Sequence, residues 1–145
     1  MISRPAKLVP PAPTSKAVSA VMRGNRGQDT KPELIVRKLL FAQGYRYRIH
    51  LKTLPGRPDI VFTKRKKVIF VHGCFWHQHP SEACPLRSHP KTNTGYWAEK
   101  LKRNWERDQT TQRRLCELGW DVLTVWECET QDKEKLIPRL LSFLG

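Results

Sequence analysis

Residues 57–71 read RPDIVFTKRKKVIFV, and their pattern decides the architecture. Leu54 to Pro58 form a Pro- and Gly-bearing turn, and Asp59 opens a short apolar run, Ile60 to Phe62. The cations from Lys64 to Lys67 mark a second turn. Val68 to Val71 is then apolar at every position. A strand without polar alternation has both faces covered, so this one is predicted to be central in its sheet. Upstream, Tyr45, Tyr47 and Ile49 alternate with Arg46, Arg48 and His50, which predicts a strand with one basic face.

Thr30-Lys31-Pro32-Glu33 is a capping box with Pro inside the first turn. It predicts a helix running to about Gln43 and stopped by Gly44. Downstream, Gly73 to about Asn93 carries no regular pattern and reads as a long functional loop. A helix is expected from about Gly95 to Leu118, stopped by Gly119, with Trp97, Leu101, Trp105 and Leu115 as its inward stripe. Trp120 to Trp126 is a further strand. Lys133 to Leu144 is a last helix, with Pro138 as a kink or a new start. The order α-β-β-β-α-β-α implies an α/β fold, a mixed sheet flanked by helices. Residues 1–28, rich in Pro, Ser, Ala and Gly and carrying Arg23 and Arg26, are expected to be a flexible basic arm. Residues 29–145 are expected to form a single domain.

Among 145 residues, 27 Lys and Arg stand against 13 acids, a formal net charge of +14. Residues 1–58 hold twelve of those cations and two acids, Asp29 and Glu33. Such an excess repels itself in a compact fold, and a polyanion relieves it, which puts nucleic acid first among partners. No stretch approaches the about 20 apolar residues of a membrane span, and the N-terminus has no secretory pattern. Four cysteines without such a signal point to a reducing compartment and to metal binding or free thiols.

Cys74-x4-His79-x4-Cys84 places three zinc-type ligands on the long loop. Cys128, just past a strand end, is the attractive fourth. Cys116, His77 and His89 compete for that place, although Cys116 also falls where a buried core thiol belongs. Asp59 lies among Arg57, Lys64, Arg65, Lys66 and Lys67. A carboxylate there could hold Mg²⁺ against a phosphate backbone, or simply pair with Arg57. Asp108 lies near the inward side of its helix, where a carboxylate needs a metal or a cation. Glu33, in a first helical turn, is either a capping group or a site residue. His77 is an imidazole beside the thiols that could move a proton. Phe75 and Trp76 are adjacent large aromatics suited to stacking on bases or wedging between them.

At these positions the chain resembles the very short patch repair (Vsr) endonucleases. The resemblance spans about residues 17 to 140 and rests on several strings in order: Asp29 to Glu33, Leu54 to Asp59, Val71 to His77, Asn104 to Asp108, Gly119-Trp120 and Val125 to Cys128. It implies a restriction-endonuclease-like core and a nuclease that nicks double-stranded DNA 5′ of the T in T:G mismatches left by 5-methylcytosine deamination. It implies that Asp59 and the Val71 backbone carbonyl bind magnesium and that His77 is the catalytic histidine, with Glu33 and Asp108 orienting solvent at the metal. Cys74, His79, Cys84 and Cys128 would bind a structural zinc. Phe75 and Trp76 would enter the duplex, with Arg23, Arg26, Arg57 and the arm gripping the DNA. A monomer in the cytoplasm, linked to a cytosine methyltransferase and a repair polymerase, completes the implied picture. Two departures stand out: Val68 to Val71 lacks the acid-x-Lys of many restriction-type nucleases, and Val71 replaces a Thr frequent in the family. A less selective or restriction-linked nickase, and a non-catalytic zinc-bearing DNA-binding module, are the alternatives.

Overall fold

The structure, a computed structural model, describes residues 29–77, 79, 84 and 93–145. Residues 1–28, and with them Arg23 and Arg26, lie outside the described residues, as does His89. Helix α1 spans Lys31–Ala42. Strands β1 (Arg48–Ile49), β2 (Ile60–Phe62) and β3 (Lys67–His72) follow. Helix α2 (Thr94–Glu117) leads to β4 (Asp121–Trp126), a 3-10 turn (Glu127–Gln131) and α3 (Lys133–Leu144). The result is a mixed α+β architecture whose four-stranded sheet has the order β1-β2-β3-β4. The first three strands are antiparallel, while β4 joins β3 in parallel, from Lys67↔Asp121 to His72↔Trp126, after the crossover through α2.

Alternation along the strands divides the core in two. On one face Ile60, Phe62, Ile69 and Val125 meet Val36 and Leu40 of α1 and Leu136, Leu140 and Leu144 of α3. On the other, Val61, Val68 and Phe70 meet Leu115 of α2. The central strand β3 is thus covered on both faces, as its unbroken apolar run requires.

Four local expectations change. The strand expected over 45–50 shrinks to Arg48–Ile49, because Tyr45 and Tyr47 turn inward and pack edge-on against Phe62, each 6.1 Å away. Trp105 leaves the inward stripe and is 52% exposed. The stripe runs instead through Trp97, Leu101, Asn104, Asp108, Thr111 and Leu115, so the middle of α2 turns polar groups inward. Cys116 is exposed because its neighbour Leu115 takes the buried position, so it is not a core thiol, and the thiol–imidazole cluster forms without it. Pro138 lies within one continuous α3 and does not restart it.

Two glycines set how the sheet meets α2. Gly119 ends the helix at φ 89°. Gly56, at φ 75°, lets the turn before Asp59 approach the helix, since a Cβ there would lie 2.3 Å from Thr111 Cγ2.

Candidate active site

The β2–β3 pairing brings Asp59, one residue ahead of β2, against the carboxyl end of β3, where Asp59 Oδ2 accepts the Val71 N–H at 2.7 Å. In an extended strand a residue's N–H and C=O leave on the same side, so the Val71 carbonyl faces that edge too. Glu33 arrives from α1. Its backbone N–H donates to the Thr30 hydroxyl at 3.4 Å, the first half of the capping box. Its carboxylate, however, reaches past Thr30 to accept the Asp29 N–H at 2.6 Å.

Only 1% exposed, Glu33 is the most buried acid in the described chain. Arg37, one turn on, reaches Glu33 Oε2 at 2.9 Å and Asp29 Oδ1 at 2.6 Å. His50 Nε2 lies 2.5 Å from Glu33 Oε1 and 3.9 Å from Asp59 Oδ1. Asp59 is pushed up to about 8 by burial, with the Val71 N–H opposing and the adjacent Glu33 carboxylate adding to the rise. Two carboxyl groups in such contact need a proton or a cation between them. The donor set, hard oxygens from Asp59 and a strand carbonyl with Glu33 beside them, fits a hard divalent ion. Arg57, exposed and at φ 46°, is not the partner of Asp59.

A second group lies across the same strand end. His77 Nδ1 is 2.6 Å from Asp108 Oδ2. The His77 ring stacks on His72, with centroids 3.9 Å apart and planes 7° apart. Burial, and next the neighbouring His77, pull His72 down to about 3, with Asp108 opposing, so His72 is a neutral platform. Asp108 therefore finds an imidazole where a metal or a cation was expected. A carboxylate at one ring nitrogen fixes the tautomer and leaves the other nitrogen for chemistry.

The parallel register His72↔Trp126 places Cys74 and Cys128, each two residues further on, side by side. The Cys128 N–H donates to Cys74 Sγ at 3.4 Å, and His79 Nδ1 lies 3.8 Å from Cys74 Sγ and 3.5 Å from Cys128 Sγ. With Cys84, all four ligand atoms lie within 4.8 Å of one another. Ligands about 2.3 Å from a tetrahedral zinc stand about 3.8 Å apart, close to the separations of His79 Nδ1 from the two thiols. Burial, and then the crowding of neighbouring thiols, push the Cys74 and Cys128 thiols up, and a divalent cation reverses such a shift. The cluster could hold a metal ion, and its members are the four expected ones.

Phe75 and Trp76 do not diverge. Both pack edge-on against Trp97, each at 5.5 Å, and Asn104 donates to the Trp76 carbonyl at 3.0 Å. Helix α2 thus backs the aromatic pair one turn before Asp108 holds His77.

The structure brings Asp59, Glu33 and Val71 into one group, His77 and Asp108 into another, and the four zinc-type ligands into a third. Sequence reasoning missed four residues: Arg37, His50, His72 and Asn104. The i,i+4 spacing of Glu33 and Arg37 was a usable signal. His50 was hidden in an apparently basic strand face, and nothing local marked His72 as a stacking partner.

Comparison with known proteins agrees with this chemistry. The family model described as DNA mismatch endonuclease Vsr matches residues 13–83. The chain is 46% identical over 124 residues to the type II nicking enzyme V.XorIIP of Xanthomonas oryzae pv. oryzae, covering 86% of this chain and 89% of that protein. It is 46% identical over 121 residues to DNA mismatch endonuclease Vsr of Escherichia coli, covering 83% and 76%. It is likewise 46% identical over 124 residues to the type II nicking enzyme V.NaeI of Lentzea aerocolonigenes, covering 82% and 72%. A buried acid pair, an oriented imidazole and this similarity together place the chain among the DNA-repair nucleases: it belongs to the Vsr family of DNA mismatch endonucleases.

Proposed function

We propose that the protein nicks double-stranded DNA on the 5′ side of the T of a T:G mismatch, as left by 5-methylcytosine deamination, in a magnesium-dependent reaction. The observation that carries this reading is the placing of the Asp59–Glu33 acid pair and the His77–Asp108 pair at one end of β3. Asp59 and the Val71 carbonyl would hold Mg²⁺. When bound, the ion supplies Lewis-acid stabilisation of charge on the phosphate and the departing oxygen. Glu33 orients solvent beside Asp59. His77 moves a proton at Nε2, because Asp108 occupies Nδ1. That pairing supports an imidazole-orienting part for Asp108 rather than solvent holding alone.

Cys74, His79, Cys84 and Cys128 hold zinc as a structural ion in this reading, anchoring the loop that bears Phe75, Trp76 and His77. Phe75 and Trp76 wedge into the duplex, and unstacking costs less at an already weakened pair. Residues 1–28, with Arg23 and Arg26, form a basic arm that joins Arg57 on the DNA backbone. Residues 29–145 act as one domain with a restriction-endonuclease-like core, monomeric and cytoplasmic. A cytosine methyltransferase and a repair polymerase are functional neighbours.

A nickase of the same fold with looser selectivity is the second reading, since several relatives are themselves nicking enzymes by name. Asp59→Ala tests the centre: the variant is expected to bind T:G duplex yet not nick it. Normal nicking by that variant would overturn the magnesium assignment.

A further inference from the structure

The group Asp29, Glu33 and His50 has the spacing of a metal site, yet Arg37 already stands inside it. A fixed guanidinium 2.6–2.9 Å from two of the three ligands occupies the place a cation would take. The cluster's part is therefore to hold Glu33 rather than an ion. Both oxygens of Glu33 are engaged, Oε1 by His50 Nε2 and Oε2 by Arg37 Nη2 and the Asp29 N–H. His50 also faces Asp59 Oδ1 at 3.9 Å, so one imidazole contacts Glu33 and lies within ion-pair range of Asp59.

The backbone is arranged for this. His50 sits at φ 48°, a left-handed conformation that a side chain with a Cβ adopts only against a cost. That turn ends β1 and swings the imidazole off the strand's alternation and in toward Glu33. Its own N–H still donates to the Asp59 carbonyl, at 3.4 Å, which ties the turn to the residue beside it. Asp29, on the other side of Glu33, is also left-handed, at φ 57°. Two of the five left-handed non-glycine residues described thus flank one buried acid, and such conformations cluster at functional sites. Arg37 adds a second sign: its Nε is the one buried side-chain polar atom without a hydrogen-bond partner among the described residues. The guanidinium is thus oriented toward the two carboxylates at the expense of its own satisfaction.

We propose that His50 is a positioning residue of the nuclease centre, clamping Glu33 against Asp59 together with Arg37, and so setting the centre's affinity for its divalent ion. This rests on the reading of Asp59 as the ion's ligand. Groups that orient a metal's protein ligands from behind change affinity or activity by about 10–100-fold when removed.

The test uses the full chain as His50→Ala and His50→Gln, with Asp59→Ala beside them. Three quantities are read: Mn²⁺ affinity by electron paramagnetic resonance, nicking of a T:G duplex against Mg²⁺ concentration, and melting temperature. His50→Ala is expected to weaken Mn²⁺ binding and raise the half-saturating Mg²⁺ by about ten-fold or more. His50→Gln, whose amide can donate to Glu33 from a similar place, should recover most of both. A His50→Ala protein with wild-type Mn²⁺ affinity and Mg²⁺ dependence overturns the proposal, whether or not its melting temperature falls. So does a loss that Gln does not reverse in a chain that remains folded. Nicking by Asp59→Ala is a different failure: it removes the ion's ligand, and the positioning role goes with it.

Discussion

Among the described residues, the thiol cluster and the carboxylate group around Asp59 are built in opposite ways. The Cys74, His79, Cys84 and Cys128 cluster has four soft ligands, and the parallel end of β3 and β4 sets Cys74 beside Cys128. All four of its positions are spent on protein atoms, so a bound ion has no place for substrate, and its effect falls on stability. Asp59 offers hard oxygen beside Glu33, which His50 and Arg37 already hold. This acid pair is crowded, and a proton or a cation relieves the crowding. The difference teaches that burial of titratable groups has two outcomes here: a closed thiol cluster that could hold a metal ion, and a carboxylate pair that needs a proton or a cation. The His72–His77–Asp108 group stands between them, on the segment that runs from β3 into the thiol cluster.

Three substitutions would sharpen or break that contrast. The largest effect is expected at the closed cluster. Cys84→Ser should lower zinc content and melting temperature together and abolish nicking, because binding energy at a structural zinc site is folding energy, about 10–16 kcal/mol in small zinc domains. Zinc stoichiometry by atomic absorption is the check, and an unchanged value removes Cys84 from the ligand set. Next comes the imidazole. Asp108→Asn should keep the fold and DNA binding but lower the single-turnover nicking rate by about 10²–10⁴-fold, the usual worth of general acid–base assistance. A rate within two-fold of the parent would detach Asp108 from His77's chemistry.

The smallest effect tests the carboxylate pair by its stability. The folded-state value of Asp59 is raised, from an ordinary 3.8 to about 8. The folded protein therefore binds more protons than the unfolded chain between those values. That contribution to stability is full below about 4 and is lost as pH rises through about 8. In the absence of divalent ions, Asp59→Asn should thus be more stable than the parent at pH 8, by about 1–3 kcal/mol, the usual cost of an unsatisfied buried group. The gain should shrink toward pH 4 and on adding Mg²⁺. Equal urea midpoints at pH 5 and pH 8 would show that the acid pair is not in conflict.

Much of this arrangement was legible in the sequence, and for identifiable reasons. The unbroken run Val68 to Val71 announced a central strand, and Gly44 and Gly119 marked the ends of α1 and α2. Cys74, His79 and Cys84 are near neighbours in sequence, so their meeting followed from spacing. What could not be read was long-range. Trp105 and Asp108 both lie close to an apolar stripe, but only the sheet's position shows that α2 buries Asp108 toward His77 and leaves Trp105 outside. His50 looked like one cation in an alternating strand. It becomes part of the site because Tyr45 and Tyr47 take the core positions beside Phe62 and the chain then turns left-handed.

The most direct test compares single-strand cleavage of a T:G duplex and the matched T:A duplex by the full protein, each with Mg²⁺ and with EDTA. Rapid nicking 5′ of the mismatched T with Mg²⁺, little of T:A, and none of either duplex with EDTA is the predicted result. Equal cutting of T:G and T:A, or cutting that persists in EDTA, would contradict it.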